Sequence, residues 1–179
     1  MLENLRKSPE ACRAVVALIG LLSGALSGLA ATSVIEGVPS WVMSTLPGLA
    51  YGALTGGAFA LFGAATWPRA MIFAGAMLVN WTIGLNLAPL TCADWLTGGG
   101  LGCTLYAAGL LGGFVGTVGM AVVTAALFPA LRRPAVLIVL VIVGTATGAL
   151  LEFGPFVVFC GWQAGINAVL AYGMFPARR

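Results

Sequence analysis

The sequence contains no histidine, and only five of its 179 residues are acidic. Without histidine the chain lacks the commonest metal ligand in proteins, the usual general base at neutral pH and the imidazole ligand of haem. The three acidic residues outside the N-terminal tail are too far apart in the sequence to indicate a catalytic carboxylate pair. We therefore expect a protein that is not an enzyme and that holds neither a metal ion nor a cofactor.

Charged residues of both signs are scarce as well. They make up 7% of the chain, whereas about a quarter of the residues in a soluble protein are charged. Hydrophobic residues make up 60%, and the mean hydropathy is +1.06. These values predict an all-α integral membrane protein with the lipid bilayer as its surroundings. The net charge of +3 does not indicate nucleic-acid binding, because the basic residues form no patch interleaved with aromatic residues.

Six apolar segments can be distinguished, and each is close to the roughly 20 residues that a helix needs to cross a bilayer. They lie at about 12–31, 46–66, 69–88, 101–128, 135–151 and 155–174. The connections between them are too short to contain a second domain. Residues 1–179 are therefore predicted to form a single bundle of six transmembrane helices.

The charged residues alternate between the two sets of segment ends. One set of ends carries Arg6, Lys7, Arg13, Arg69, Arg132, Arg133, Arg178 and Arg179, and the other carries Glu36, Asp94 and Glu152. Because the cytoplasmic ends of membrane helices are enriched in lysine and arginine, this pattern predicts six spans with both termini in the cytoplasm. The excess of arginine over lysine and the abundance of alanine and glycine favour a bacterial inner membrane.

Glycine recurs at four-residue spacing within two spans. The second span contains Gly48, Gly52 and Gly56, and the fourth contains Gly109, Gly112, Gly113, Gly116 and Gly119. Small residues at this spacing form a stripe on one side of a helix, where the backbone of another helix can approach closely. The stripes therefore predict tight packing between helices.

Signals for helix ends recur along the chain. Spans two, four and six each end in an aromatic residue, a proline and an arginine, at 67–69, 128–132 and 175–178. This likeness indicates three helical hairpins, which arose either by duplication or because every inward helix end requires these residue types. Before the first span, Ser8 and Pro9 are typical of a helix N-cap and a first helical residue.

The four cysteines show neither a CxxC motif nor a zinc-type spacing. Cys92 and Cys103 flank the second outer connection, which faces an oxidising compartment if the protein lies in a bacterial inner membrane. The glycine run between them would allow the connection to fold back on itself. The two residues are a candidate disulfide, and the sequence leaves open whether they are bonded.

Three carboxamides near the middle of the spans are the most distinctive polar residues. Gln163 and Asn167 share one helix face, with Trp162 beside them, and Asn80 lies at a similar depth in the third span. If the third and sixth spans are neighbours, these four residues are candidates for a substrate-binding site. Alternatively, the amides hydrogen-bond between helices and hold the bundle together. An outer mouth above the site would consist of Asn86, Asp94 and Glu152.

Other aromatic residues lie near the predicted ends of the spans. They are Trp41, Trp67, Trp95 and Tyr51. Indole and phenol rings are favoured in the headgroup layer, so we expect these four side chains at the membrane boundaries.

Two functions are compatible with these observations. The first is a small permease, channel or solute-binding membrane component for a neutral or zwitterionic small molecule or lipid. The second is a non-catalytic subunit of a larger membrane complex, which docks other subunits or a second copy through its glycine faces. Amides that converge on a cavity would favour the first function. Amides satisfied by neighbouring helices, or an outward-facing glycine stripe on the fourth span, would favour the second.

Overall fold

The computed structural model describes residues 2–32, 40–97 and 105–176. Only the backbone is described for residues 2, 4, 5, 31, 32, 40–44, 85–97 and 105. All regular structure in these ranges is helical, which confirms the all-α class. The helices are α1 (Leu2–Lys7), α2 (Pro9–Thr32), α3 (Ser40–Leu61), α4 (Trp67–Thr97), α5 (Leu105–Leu127), α6 (Pro134–Gly148) and α7 (Pro155–Met174). Single 3-10 turns follow α5 at Pro129–Leu131 and α6 at Ala149–Phe153.

Four segments of the described ranges are long and apolar enough to cross a membrane. They are Pro9–Ala30, Tyr106–Leu127, Pro134–Phe153 and Pro155–Met174. The last of these matches the bounds predicted for the sixth span. The first begins where the sequence indicates, because the backbone N–H of Ala11 donates to the Ser8 hydroxyl oxygen at 3.2 Å. The predicted N-cap is thus confirmed.

Helix α3 begins and ends earlier than the predicted second span, 46–66. It ends at Leu61 because Gly63 adopts a left-handed conformation with φ of 74°. Two backbone bonds close the helix, from Gly63 N–H to the Ala60 carbonyl at 3.1 Å and from Ala64 N–H to the Phe59 carbonyl at 2.8 Å. This is the Schellman arrangement, in which glycine avoids the steric cost of a positive φ. The predicted boundary at residue 66 is wrong for that reason.

Helix α4 continues to Thr97, well beyond the predicted end of the third span at residue 88. Pro89 removes one backbone N–H donor, but the residues that follow include good helix formers such as Leu90, Ala93 and Leu96. The helix ends just before the run of glycines in the sequence, where helical conformation is unfavourable. Most of the predicted second outer connection is therefore helical backbone.

The six long helices form a closed ring in chain order, with α7 packed against α2. Neighbouring helices run antiparallel. Along the α2–α7 contact, for example, Gly20 lies against Asn167 whereas Gly28 lies against Phe156. As a result, α3, α5 and α7 all end at the same end of the ring, where α2, α4 and α6 begin. We call this the basic end, because it carries Arg13, Arg69 and Arg132.

Glycines bring three of the helix pairs into backbone contact. The glycines are Gly20, Gly24 and Gly28 between α2 and α7, Gly48, Gly52 and Gly56 between α3 and α4, and Gly109, Gly113, Gly144 and Gly148 between α5 and α6. A Cβ atom on Gly52 would lie 2.7 Å from the Ala74 Cα atom, and one on Gly109 would lie 2.9 Å from the Leu151 Cβ atom. The predicted role of the two glycine stripes in helix packing is confirmed.

Arginines cap the three helices that end at the basic end. The Nε atom of Arg6 donates to the Leu61 carbonyl of α3 at 2.7 Å, and that of Arg132 donates to the Ala125 carbonyl of α5 at 2.8 Å. For α7, the Nε atom of Arg13 donates to the Phe175 carbonyl at 2.7 Å. The last carbonyls of a helix lack partners within the helix and carry partial negative charge. These three residues therefore stabilise helix ends.

We expect Arg13→Ala to lower the free energy of unfolding by about 1.5 kcal/mol, because Arg13 combines a helix cap with a cation–π contact. Its guanidinium carbon lies 4.3 Å from the centre of the Tyr172 ring. The measurement is denaturant-induced unfolding in detergent micelles. The matched control is Lys7→Ala, which removes an exposed basic residue from the preceding helix α1. Equal effects of the two substitutions would contradict this specific role of Arg13.

Candidate functional site

Two of the three mid-span carboxamides lie in a cluster of buried polar side chains between α2, α3 and α7. The cluster, called the buried polar network below, consists of Ser23, Ser27, Tyr51, Thr55, Gln163 and Asn167. None of these residues is more than 2% exposed. A polar group at such a position is costly unless it is hydrogen-bonded, so the partners of each amide decide its role.

Asn167 joins three helices. Its Oδ1 atom accepts from the Tyr51 hydroxyl at 2.8 Å and from the Thr55 hydroxyl at 3.2 Å, both on α3. Its Nδ2 atom donates to the Val16 carbonyl of α2 at 3.0 Å and to the Thr55 hydroxyl oxygen at 3.1 Å. A carboxamide offers two donors and two acceptor sites, and those of Asn167 are all used within the bundle.

Gln163 joins α7 to α2 one helical turn away. Its Nε2 atom donates to the Ser27 hydroxyl oxygen at 2.9 Å, and its Oε1 atom accepts from the Ser23 hydroxyl. The Ser27 hydroxyl donates in turn to the Ser23 carbonyl at 2.8 Å. Both amides of α7 are therefore satisfied by neighbouring helices. This is the geometry expected of side chains that hold a membrane bundle together.

Asn80 lies apart from the other two amides. Its Nδ2 atom donates to the Gly116 carbonyl at 2.8 Å and so connects α4 to α5. The side chain is half-buried and borders a cavity on the other side of the ring. The structure thus brings Gln163 and Asn167 together, whereas it places Asn80 with Trp162 at the cavity.

The cavity has a volume of about 370 Å³ and lies between α4, α5, α6 and α7. Among the described residues its lining includes Asn80, Trp81, Gly84, Ala108, Gly109, Gly112, Gly113, Gly116, Gly148, Leu151, Val158, Phe159 and Trp162. On the α5 side the lining is almost entirely glycine and therefore mostly backbone. On the side of α4 and α7 it includes three aromatic rings. The space exists because α5 lacks side chains opposite these rings.

The aromatic wall of the cavity is a packed set of rings from α4 and α7. The Trp81 ring centre lies 5.0 Å from that of Phe159 and 6.2 Å from that of Trp162. Trp81 and Phe159 are partly exposed, whereas Trp162 is only 7% exposed. Trp162 thus forms the deep part of the wall.

The indole N–H of Trp162 is buried and has no hydrogen-bond partner among the described residues. The ring edge that carries Nε1 also carries Cζ2. A Cβ atom on Gly116 would lie 3.8 Å from Cζ2, so the six-membered ring of the indole lies next to the glycine wall of the cavity. Buried tryptophans usually find an acceptor for the indole N–H. The Nε1 atom has almost no accessible surface, so this N–H group lies within the packed wall next to the cavity.

Aromatic packing fills the bundle between the cavity and the basic end. The Phe128 ring centre lies 5.5 Å from those of Phe59 and Phe73, and the rings of Phe62 and Phe175 lie 6.1 Å apart. Phe59 and Phe73 are fully buried. The cavity instead lies in the half of the bundle that contains the turn at Ala149–Phe153.

The predicted outer mouth and disulfide fall largely outside the described side chains. Glu152 is exposed in the turn after α6, next to Leu151 of the cavity lining. Asn86, Cys92 and Asp94 lie in α4, where only the backbone is described, and Cys103 lies outside the described residues. The mouth and the disulfide therefore stay predictions.

One of the residues predicted at the membrane boundaries lies inside the bundle. Tyr51 is 2% exposed, and its ring centre lies 6.0 Å from that of Trp162. Its placement at a boundary is wrong because the hydroxyl finds an acceptor in Asn167, so the ring can be buried without an unsatisfied polar group. Trp67 is exposed at the basic end, as predicted. The side chains of Trp41 and Trp95 are outside the described set.

Sequence reasoning missed four members of the buried polar network. Ser23 and Ser27 are four residues apart on α2, and so are Tyr51 and Thr55 on α3. This spacing places each pair on one helix face, close to the glycines that contact the next helix. Hydroxyl pairs beside a glycine stripe were the available signal for the partners of Gln163 and Asn167.

The cavity suits recognition of a neutral molecule. None of its described lining residues carries an ionisable side chain, and the described lining residues with polar side-chain atoms are Asn80, Trp81 and Trp162. Within the described part of the chain, no group of three histidine, cysteine, aspartate or glutamate residues could hold a metal ion. The lining can therefore bind and orient a ligand through hydrogen bonds and apolar contact.

No family model, curated protein or solved structure matches this chain.

Proposed function

We propose that the protein is a solute-binding component of a bacterial inner membrane, and that its cavity binds a neutral, largely apolar small molecule or lipid. In this proposal the chain crosses the bilayer six times and keeps both termini in the cytoplasm. The antiparallel ring supports the topology, because α2 begins and α7 ends at the basic end. Arginines at that end satisfy the positive-inside preference.

The observation that carries the proposal is the cavity between α4, α5, α6 and α7. Its volume of about 370 Å³ falls within the range of roughly 300–1,000 Å³ that is typical of small-molecule sites. Such sites are mostly apolar and contain a few polar groups that orient the ligand. The described lining has this composition, since Asn80, Trp81 and Trp162 are its members with polar side-chain atoms.

Gln163 and Asn167 support the bundle in this proposal and do not contact the ligand. Their hydrogen bonds to α2 and α3 would have to break before either amide could bind a solute. Breaking them would leave buried partners unsatisfied, at a cost of about 1–3 kcal/mol for each group. Of the four residues predicted to bind substrate, Asn80 and Trp162 keep that role.

The glycines of α5 support ligand binding over subunit docking. Gly109 and Gly113 contact α6. Gly116 faces Trp162, Gly119 faces Asn80, and Gly112 lines the cavity. These five glycines therefore face neighbouring helices or the cavity. They do not form the outward-facing glycine stripe that a partner helix would require.

We expect Gly116→Leu to abolish ligand retention, because the new side chain would occupy the cavity opposite Trp162. A Cβ atom fits at this position, 3.8 Å from the nearest atom outside its own helix. The measurement is native mass spectrometry of protein extracted mildly from its membrane. We expect the wild type to carry a small molecule or lipid of defined mass and the variant to have lost it.

The matched control is Gly75→Leu on α4, where a Cβ atom would meet no other atom within 4 Å. The control should retain the same bound mass as the wild type. Equal retention by Gly116→Leu would contradict the assignment of the cavity. Stoichiometric co-purification with other protein chains, and no small molecule, would instead support the subunit function.

A further inference from the structure

We infer that an anionic phospholipid binds on the outward surface of the seam between α4 and α5 at the basic end, where its phosphate lies between the guanidinium groups of Arg69 and Arg132. This site is separate from the cavity. The binding requires only one part of the proposed function, namely that the basic end lies in the headgroup layer of the membrane.

Arg69 lies on the side of α4 that faces α5. It precedes Phe73 by four residues and Asn80 by eleven, so the three residues share one face of the helix. That face meets α5, because the ring centres of Phe73 and Phe128 lie 5.5 Å apart. The amide of Asn80 bonds to α5 as well. Arg69 is exposed one turn closer to the basic end, and within the described part of the chain its guanidinium has no hydrogen-bond or ion-pair partner.

Arg132 brings a second guanidinium to the same seam from α5. Its side chain folds back along this helix, with Nε donating to the Ala125 carbonyl at 2.8 Å and Nη2 donating to the Ala126 carbonyl at 3.4 Å. Ala126 follows Gly119 by two helical turns, and Gly119 lies against Asn80 of α4, so this part of α5 borders α4. A guanidinium has five N–H donors, and the exposed Arg132 therefore keeps donors for a ligand.

The described residues at the seam provide no negative charge. Arg133 adds a further exposed basic side chain next to Arg132. The acidic side chains that the structure describes are those of Glu3, Glu10 and Glu152, and none of them belongs to α4, α5 or the turn that follows α5. A phosphate group between the guanidiniums would offset their mutual repulsion, and its oxygens match the fork of N–H donors that arginine presents.

Exposed apolar side chains continue the seam away from the basic end. They follow Arg69 along α4 and precede Arg132 along α5, and they are Ile72, Val79, Val118 and Val122, between 38% and 65% exposed. A phospholipid has the same layout, because its charged phosphate is followed by acyl chains. Basic sites at the membrane boundary between helices bind anionic headgroups in this way. The apolar surface thus favours a lipid over a soluble phosphate ester.

Native mass spectrometry of the full-length protein in detergent, titrated with one lipid at a time, tests the inference. The lipids are phosphatidylglycerol and phosphatidylcholine with identical acyl chains. Both contain a phosphate, but choline adds a positive charge that the arginines repel. We expect the first phosphatidylglycerol to bind about fivefold more tightly than the first phosphatidylcholine, or better. An equal Kd for the two lipids would overturn the inference.

Substitutions assign this preference to the seam. Arg69→Gln should weaken phosphatidylglycerol binding about fivefold, the contribution of one arginine next to an anionic headgroup, and leave phosphatidylcholine binding unchanged. Arg132→Gln should act similarly, and its stability is measured in parallel because Arg132 also caps α5. The matched control is Lys7→Gln, which removes the same charge from α1, a helix that packs against α2. If Lys7→Gln weakened binding as much as Arg69→Gln, the preference would depend on net charge alone and the site would be wrong.

Gly116→Leu separates the seam from the cavity. The preference for phosphatidylglycerol should persist in this variant, because its new side chain fills the cavity and leaves the two arginines in place. Loss of the preference would place the lipid in the cavity and overturn the seam site, while the proposed function would stand. Conversely, a wild type that retains no molecule in the cavity but prefers phosphatidylglycerol through Arg69 would contradict the proposed cavity and support the seam.

Glycerol 3-phosphate distinguishes a lipid from a soluble anion. It carries the phosphate of the headgroup without acyl chains. At millimolar concentration it should not displace phosphatidylglycerol from the wild type. Displacement would mean that the arginines bind soluble phosphate esters, and the assignment of a lipid would then be wrong.

Discussion

Gly24→Leu is expected to lower the free energy of unfolding by about 3 kcal/mol or more, because the new side chain would have to enter the closest contact between α2 and α7. A Cβ atom on Gly24 would lie 2.7 Å from the Cα atom of Cys160 and 2.8 Å from the carbonyl carbon of Phe159. Both atoms belong to the backbone of α7, so a rotamer change cannot relieve the overlap. The two helices must separate.

Separation of α2 from α7 would also break the bonds between Gln163 and the two serines of α2, which is why the expected effect is large. Unfolding in mixed micelles with increasing denaturing detergent gives the free energy. Gly57→Leu on α3 is the matched control, since a Cβ atom there would meet nothing within 4 Å, and it should change stability little. A small effect at Gly24 would mean that the α2–α7 contact is looser than the structure shows.

The sequence predicts the helical class and two local features of the helix ends, whereas the predicted ends at residues 66 and 88 are wrong. Composition predicted the all-α class, and the bounds of α7 matched the prediction for the sixth span. The N-cap at Ser8 followed from a local signal, since a serine before a proline satisfies a free N–H in the first turn. The glycine stripes predicted helix packing because only small residues allow two backbones to meet. Each of these features depends on residues close together in the chain.

The arrangement around the ring depends on distant residues and was much less predictable. In a bilayer both the lipid-facing side and the core-facing side of a helix are apolar, so hydropathy does not show which side points inwards. For this reason the sequence predicts a boundary position for Tyr51 and groups Asn80 with Gln163 and Asn167. The sequence does not predict the cavity either. All four glycines Gly109, Gly112, Gly113 and Gly116 belong to one stripe and line the cavity, but Gly109 and Gly113 also contact α6. Glycine spacing alone does not distinguish these two roles.

Asn167→Leu is expected to lower the free energy of unfolding by about 2 kcal/mol. The amide makes contacts to Tyr51, Thr55 and Val16, and interhelical hydrogen bonds in membrane proteins contribute roughly 0.6 kcal/mol each on average. The substitution removes them together and leaves the Tyr51 hydroxyl with the weak Met120 sulfur at 3.8 Å. Leucine has the same branched heavy-atom skeleton but a larger volume, so the loss combines the missing hydrogen bonds with overpacking of a buried site.

Thr147→Val is the control for this loss, because the Thr147 hydroxyl bonds only to carbonyls of its own helix and its removal should change stability by a few tenths of a kcal/mol at most. A double-mutant cycle with Tyr51→Phe isolates one hydrogen bond, and the loss of stability caused by Tyr51→Phe should be smaller once Asn167 is absent.

The same Asn167→Leu protein also decides between the two roles of the amide. If it is less stable yet retains the same bound molecule as the wild type, Asn167 supports the bundle. If stability is unchanged and binding is lost, the ligand contacts the amides of α7, and the site lies on the other side of Trp162.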